Sequence, residues 1–414
     1  MADFKGRKLK FPEHIIVIGG GRWAKVLLGT IIKIAPDHVQ LTACSLRNSK
    51  ALQEWSISQG FDNRIKVLDE YPIQPSSGLC VVIVANAVYD HEKAIVWALE
   101  QQMPVLVEKP ISTCFSIAKN LINFANQKNA YFACAHVFLF ASYLKAFVQL
   151  IQAQKNITTI DVFWADPAVE NRHGEIKKYD PSLPVYADWL PHIMPILSVM
   201  LGNEKYIVDD IDYLEGGAHL RLHLIWGQIT CKIELIRNAD SRIRIFQVNT
   251  VNDKFTLNFC SEPGIIQANS ITKPYDFEWT ESPKPLVNML TAFFQSASGI
   301  EIDERLDSSI GLLVAKVTDE ISHIYSEHQI KWLNQELKNN SVVSEQKLDY
   351  ALKELILSKY PFMYDQLEII INYLWVCLKT EFIKKKYLGI ASINKIIDFK
   401  INQINLTVKN NHKK

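Results

Sequence analysis

The sequence predicts an α/β domain on a parallel sheet, then an α+β domain on a mostly antiparallel β-sheet with helices, then a helical tail. Three observations carry this. Over the first 150 residues, short and continuously apolar runs alternate with helix-like segments, the pattern of βαβ units whose strands are covered on both faces. After about residue 155, strand candidates follow one another directly, parted by turn signals such as Gly216-Gly217, Asn238-Ala239-Asp240 and Asn252-Asp253. Residues 331–414 hold 14 lysines, no arginine and 8 acids, a net of +6 against −5 for the rest. The expected domains are therefore 1–150, 151–330 and 331–414.

Taken in order, the first expected strand is 14–18, followed by three glycines and a helix over 23–34. Strands follow at 39–44, 79–85 and 104–107, with a helix at 89–101 between the last two. A helix at 116–127 and a strand at 130–135 complete the first domain. In the second, strands are expected at 158–164, 206–213, 219–226, 228–236, 242–248 and 254–259. Helices are expected at 191–201, 285–298 and 308–325. In the tail, Leu367, Ile370, Ile371, Leu374, Leu378 and Phe382 recur at helical spacing. The Asn/Lys-rich end, 409–414, is expected to be disordered.

Composition excludes several classes. With 414 residues, 48% hydrophobic and 21% charged, the chain has ample material for two or three cored domains. A formal charge of +1 gives no global steering toward nucleic acid or an anionic membrane. The N-terminus has no apolar h-region, and the most apolar run, Ile369 to Leu378, is too short to span a bilayer. The seven cysteines are scattered, odd in number and form no CxxC pair, which points to reduced thiols and a cytoplasmic setting. His and Cys do not cluster at zinc spacing, so no metal site is expected.

Four motifs carry chemistry. Gly19-Gly20-Gly21-Arg22-Trp23-Ala24 fits G-x-G-x-x-G/A between a strand and a helix. Gly19 would make the tight turn, Gly21 would let a pyrophosphate approach the helix N-terminus, and Ala24 would allow close packing. This is the fingerprint of a Rossmann dinucleotide-binding domain. The next strand ends in Cys44-Ser45-Leu46-Arg47-Asn48, without the acid that binds the ribose 2′-OH of NAD. Ser45 and Arg47 would suit a 2′-phosphate, so NADP(H) is the preferred cofactor, with NAD(H) the alternative. An ordinary solvated loop is the plainer reading of that stretch. Glu108-Lys109-Pro110 stands at a strand end, where the ligand crevice of such sheets lies. Asp188 and His192 are four residues apart, one face of a helix, and suit a general acid/base with a carboxylate partner. In isolation, an N-cap Asp with an incidental His is the preferred reading of that pair.

Together, and in this order, the segments resemble the glucose–fructose oxidoreductase / inositol dehydrogenase (Gfo/Idh/MocA) family over about residues 12–328. The resemblance also uses Val81-Val82-Ile83-Val84-Ala85-Asn86-Ala87 with His91, and Leu306-Asp307-Ser308-Ser309-Ile310-Gly311. Ala135-His136-Val137-Phe138-Leu139-Phe140 and Asp188-Trp189-Leu190-Pro191-His192 are similar to the subgroup acting on nucleotide-linked sugars. The resemblance implies an NAD(P)-dependent oxidoreductase. Lys109 would contact the reacting oxygen and the nicotinamide edge, and His192 would give or take the proton with Asp188 close by. His136 and Trp189 would line the substrate cleft. Gly20, Arg22, Trp23, Asn86, His91 and Glu108 would join Gly19, Gly21, Ala24, Ser45 and Arg47 around the cofactor. The family commonly assembles through the open face of its second sheet, so a homo-oligomer, dimer or tetramer, is expected.

The chain departs from the family pattern at Asn86-Ala87, Leu190 and Ile193, positions that bear on substrate more than cofactor. Three activities fit the sequence. The leading one moves a hydride between nicotinamide and a sugar, cyclitol or nucleotide-sugar carbon. The second reduces a C=N bond in a biosynthetic intermediate, on a carrier protein, with the basic tail as docking element. The third is a non-catalytic NAD(P) sensor whose tail binds a protein partner; the presence of both Lys109 and His192 speaks against it.

Overall fold

The computed structural model describes residues 10–411 apart from 76, 155, 173–174, 178, 203, 270, 273–278, 280–283, 340–344 and 384–388. The lysine run at 384–386 and the last three residues of the chain lie outside the described residues. Two compact units are present. Unit 1 comprises Met1–Thr158, Leu190–Lys205 and Ile245–Asp319; unit 2 comprises Thr159–Trp189, Tyr206–Arg244 and Glu320–Lys414.

Unit 1 holds a six-stranded sheet in the order β3-β2-β1-β4-β5-β6, every pairing parallel. Its strands are β1 His14–Ile18, β2 Gln40–Cys44, β3 Ile65–Leu68, β4 Cys80–Val84, β5 Val105–Glu108 and β6 Phe132–Ala135. Helices α1 Arg22–Ile34, α2 Ser49–Ser58, α3 Val88–Glu100 and α4 Phe115–Gln127 connect them. The central strand β4, Cys-Val-Val-Ile-Val, is buried at all five positions, as its unbroken apolar run requires. Val82, Val84, Val105 and Val107 pack with Ala94, Ile95 and Leu99 of α3 in one core, each large side chain contributing about 1.5–3 kcal/mol. The strand order reverses between β1 and β4, so their carboxyl ends open the crevice where doubly wound sheets bind ligands. Edge strand β3, Ile-Lys-Val-Leu, was not foreseen: it is four residues long and only its first side chain is buried.

Unit 1 also contains α5 Ser142–Gln152 and an antiparallel meander made of β13 Ile243–Thr250 from Ile245 on, β14 Lys254–Asn258, β15 Ile265–Ala268 and β16 Ile271–Thr272. In unit 2, β10 Tyr206–Leu214, β11 His219–Trp226 and β12 Ile229–Ala239 are antiparallel, whereas β12 pairs with β7 Ile157–Pro167 in parallel. The mostly antiparallel expectation is therefore met in unit 2 except at β12 and β7, which run in parallel. A short hairpin, β8 Glu170–Arg172 with β9 Glu175–Lys177, adds to this unit.

Helix α6 spans Val185–Leu201 and begins six residues before the expected start at 191. Proline favours the first turn of a helix, which made Pro191 a natural start; here Pro191 and Pro195 both lie inside. After α7 Pro285–Ala297, helix α8 runs over Ser308–Asn339, far past the expected end at 325. Helices α9 Glu345–Lys359, α10 Leu367–Ile383 and α11 Ile390–Asn411 follow. Leu367, Ile370, Ile371, Leu374 and Leu378 are buried together with Leu333 and Leu337 of α8, Leu352 and Ile356 of α9, and Ile393 and Ile397 of α11. The tail thus has a core of its own. Among the described residues no helix is long and apolar enough to cross a membrane. The seven cysteines form no disulfide.

Candidate active site

The glycine turn after β1 is shaped by its neighbours. Gly19 has φ +145°, and a Cβ there would stand 2.5 Å from the Ala85 carbonyl oxygen at the end of β4. A Cβ on Gly20 would stand 2.4 Å from Ser45 Oγ. Gly21 differs: a Cβ there meets nothing within 4 Å. It is the N-cap of α1, with no side-chain cap and no acid in the first turn. The first N–H groups of a helix have no intrahelical partner and attract anions. This uncapped, uncrowded helix start fits a dinucleotide pyrophosphate. Ala24 is fully buried beneath it, while Arg22 and Trp23 are partly exposed.

Ser45 is buried and accepts the Asn48 N–H at 3.1 Å. Arg47 is exposed, donates to Asp90 Oδ2 at 2.8 Å and to the Tyr89 hydroxyl, and lies 5.0 Å from the centre of the Tyr89 ring. The guanidinium expected to meet a 2′-phosphate thus already has a carboxylate partner. At β4's end, Asn86 donates to the Asp90 carbonyl at 3.3 Å. His91 is buried with one ring nitrogen 3.0 Å from the Pro110 carbonyl and the other 3.2 Å from the Asn86 carbonyl. Burial pushes its pKa down to about 4, so the ring is neutral and its single hydrogen goes to one of these two carbonyls.

Glu108 and Lys109 end β5 and follow it, and both are partly exposed. Burial raises the Glu108 carboxyl to about 7, with Trp23 and Lys109 pulling it partway back. His136, just past β6, is 3% exposed. Desolvation lowers its pKa to about 4, and the Lys109 charge acts in the same direction, so the ring is neutral at pH 7. The Pro191 carbonyl acts on this ring from α6, yet neither ring nitrogen reaches hydrogen-bonding geometry with any described residue. That carbonyl is available for a sequence reason. In a helix it would accept the N–H four residues on, and residue 195 is a proline with none. His192, one residue further, is partly exposed, with its ring edge-on to Phe138 at 5.1 Å. Lys109, His136, Pro191 and His192 all belong to unit 1.

Asp188 and Trp189 belong to unit 2, on the first turns of α6. Asp188 Oδ2 accepts from Arg237 Nη2 at 3.2 Å, and Trp189 is buried with its ring 5.9 Å from the Arg237 guanidinium. Arg237 was not foreseen. The available signal was its phase: on β12 it shares the inward face with Cys231, Ile233 and Leu235. A charged residue at an inward strand position calls for a partner.

Fold and glycine turn define a Rossmann domain whose uncapped helix start suits a dinucleotide. Residues 14–136 match the Gfo/Idh/MocA model, described as an oxidoreductase family with an NAD-binding Rossmann fold. Comparison with curated proteins finds no match. Among solved structures, the chain is similar in fold to a UDP-N-acetylglucosamine 3-dehydrogenase from Acidithiobacillus ferrooxidans, at 12% identity and TM-score 0.58, covering 74% of this chain and 96% of that one. It is similar to a 3-ketoreductase from Actinomadura kijaniata, solved with TDP-benzene and NADP, at 15% identity and TM-score 0.60, covering 74% and 95%. A probable dehydrogenase from Thermotoga maritima gives 14% identity and TM-score 0.54, covering 75% and 97%.

Proposed function

We propose that the protein moves a hydride between C4 of a nicotinamide and a carbinol or keto carbon of a sugar, cyclitol or nucleotide-linked sugar. The observation that carries this reading lies within unit 1: the Lys109 charge after β5 acts on the buried His136 just past β6, and His192 of α6 packs edge-on against Phe138, two residues beyond His136. In it, Lys109 polarises the reacting oxygen and His192 takes or returns its proton, the work histidine does best near neutral pH. His136, held neutral and with neither ring nitrogen in hydrogen-bonding geometry to any described residue, can turn an acceptor nitrogen to the bound pair. The nicotinamide supplies the hydride chemistry when bound. The relatives named above, a 3-dehydrogenase and a 3-ketoreductase, favour a nucleotide-sugar substrate.

NADP(H) is the proposed cofactor of choice and NAD(H) the second, through Ser45 and Arg47. A dimer or tetramer is the proposed assembly, and sedimentation as a compact monomer at micromolar protein would overturn it.

The test follows nicotinamide absorbance with UDP-N-acetylglucosamine, TDP-sugars, free hexoses and cyclitols as probes, with each cofactor in turn. Lys109→Ala and His192→Ala should each lower kcat by about 10²–10⁴-fold while cofactor binding survives. No turnover across the panel by the unaltered protein, or variants that turn over normally, would defeat the reading.

A further inference from the structure

In unit 2, the end of β12 lines a cleft of about 330 Å³, near the lower limit of the range of about 300–1,000 Å³ that takes small ligands. Asp166, Tyr179, Asp188, Trp189, Arg237 and Asn238 border it, all of that unit. Side chains alternate along a strand, so Asn238 should face away from Arg237. The register of β12 against β7 slips between Arg237 and Ala239, and Asn238 takes φ +60°, in the left-handed region that Asn enters more readily than most residues. The bulge brings two consecutive residues to one cleft, as bulges beside functional sites do.

Arg237 is fixed by its surroundings, among them the C-terminal extension. Its Nη1 donates to the Tyr350 hydroxyl of α9 at 2.9 Å and lies 4.0 Å from Glu354 Oε1, one helical turn further on. Its Nη2 donates to Asp188 Oδ2 at 3.2 Å, and the rings of Tyr179 and Trp189 stand 5.1 and 5.9 Å from the guanidinium. Gly216 and Gly217, between β10 and β11 at φ +67° and +98°, let the extension in. A Cβ on Gly216 would stand 2.3 Å from the Lys347 carbonyl oxygen of α9, and one on Gly217 would stand 2.1 Å from the Tyr325 hydroxyl and 3.0 Å from Glu354 Oε2. The Arg237 side chain is only 2% exposed, yet its Nε has no hydrogen-bond partner among the described residues. A buried donor of this kind calls for an acceptor.

We propose that this cleft holds an uncharged, hydroxyl-bearing ring, the sugar or cyclitol part of the substrate, with Arg237 and Asn238 as its binding residues. The inference rests on the hydride-transfer reading only for calling that ring substrate. Charge decides the class. Arg237 is already met by Asp188, and Asp166 is held by Arg244 at 2.7 Å, so the two carboxylates at the cleft balance the two guanidiniums. An anion would gain little there and would meet both carboxylates. A hydroxyl suits every group: its oxygen accepts from Arg237 Nε or the Asn238 amide, and its hydrogen goes to Asp188. Tyr179 and Trp189 give apolar surface to the C–H face of a ring. The volume takes one ring rather than a whole nucleotide-sugar. Tyr350 is a positioning residue in this arrangement, since it fixes the guanidinium whose Nε the ring meets.

The test is saturation-transfer NMR on the full chain, with glucose, myo-inositol, UDP-N-acetylglucosamine and glucuronate as probes. Ring protons of the uncharged probes should receive saturation, and glucuronate should bind no more tightly than glucose. Asn238→Gly accommodates φ +60° and deletes only the amide; it should weaken ring binding about three- to tenfold, the size of one hydrogen bond. Arg237→Lys keeps a charge beside Asp188 and removes Nε, and should do the same; Asn238→Gly carries the test if Arg237→Lys fails to fold. Undiminished binding in every folded variant, tighter binding of glucuronate, or no ring saturation from any probe would overturn the proposal. The catalytic reading fails separately. Ring binding that Asn238→Gly weakens, without turnover of any probe, would remove hydride transfer and leave the subsite; turnover with binding unmoved in the variants would do the reverse.

Discussion

Two glycine turns, one in each unit, answer opposite needs. At Gly21 nothing stands within 4 Å of where a Cβ would be, and the helix behind it begins uncapped. At Gly216 and Gly217 the corresponding space is taken by Lys347, Tyr325 and Glu354. The first turn keeps room for something outside the chain; the second makes room for the chain itself. Glycine marks both places identically in sequence, so only the neighbours separate a binding element from a packing element.

Substitutions that fill each space should separate the two most sharply. Gly217→Ala should cost about 4 kcal/mol of unfolding free energy, from positive-φ strain and overpacking at about 1–3 kcal/mol each. Gly21→Ala should cost about 1 kcal/mol or less, an N-cap effect, yet weaken NADP(H) at least about tenfold by crowding the pyrophosphate. Urea unfolding with cofactor calorimetry reads both; equal stability losses would erase the distinction.

The next effect tests the charge stored on the filled side. Glu354 binds its proton more tightly folded, at about 7, than unfolded, at about 4.5. Its contribution is therefore complete below pH 4.5 and is lost as pH rises through 7, about 3 kcal/mol in all. Glu108 adds a decline of the same sign from unit 1, whereas His91 and His136, lowered to about 4, destabilise as pH falls below 6.5. Unfolding measured from pH 4.5 to 8 should show a shallower alkaline decline in Glu354→Gln than in the unaltered protein. Parallel curves would mean that Glu354 titrates normally.

On the open side, Arg47→Ala should weaken NADP(H) by about 1.5–3 kcal/mol, the range for hydrogen bonds to charged groups, and leave NAD(H) nearly unchanged. Equal affinity of the unaltered protein for both cofactors would sink the preference. Smallest of all, Asp90→Asn removes the exposed partner of Arg47 and should strengthen NADP(H) by up to about 1 kcal/mol, the worth of a surface ion pair. Calorimetry showing weaker binding would assign Asp90 a direct part in holding the cofactor.

The dinucleotide half was readable because its signals are local. A strand, three glycines and a helix lie within about twenty consecutive residues, and the βαβ rhythm continues to β6. Edge strand β3 escaped because a short, half-solvated strand has neither an apolar run nor clear alternation. The start of α6 was misplaced because Pro191 satisfies a first-turn preference that the fold overrides. Lys109 and His192 could be singled out from a strand end and from helical spacing, and His136 only through the family resemblance. The Arg237 network could not, since Arg237 and Tyr350 are 113 residues apart and nothing near either announces the other. The pairing of Arg47 with Asp90 was hidden for the same reason, across 43 residues.

Proline 195 has a consequence for protonation geometry. By depriving Pro191 of a helical donor, it leaves a carbonyl dipole acting on a neutral imidazole that can carry its single hydrogen on either nitrogen. A carbonyl oxygen only accepts, so it favours the tautomer whose hydrogen is on the nearer nitrogen and leaves the other lone pair bare. Restoring an N–H at position 195 would mend the helix and remove that bias. The tautomer of His136 is in this way written into the backbone of a neighbouring helix by a residue that never touches the ring's chemistry.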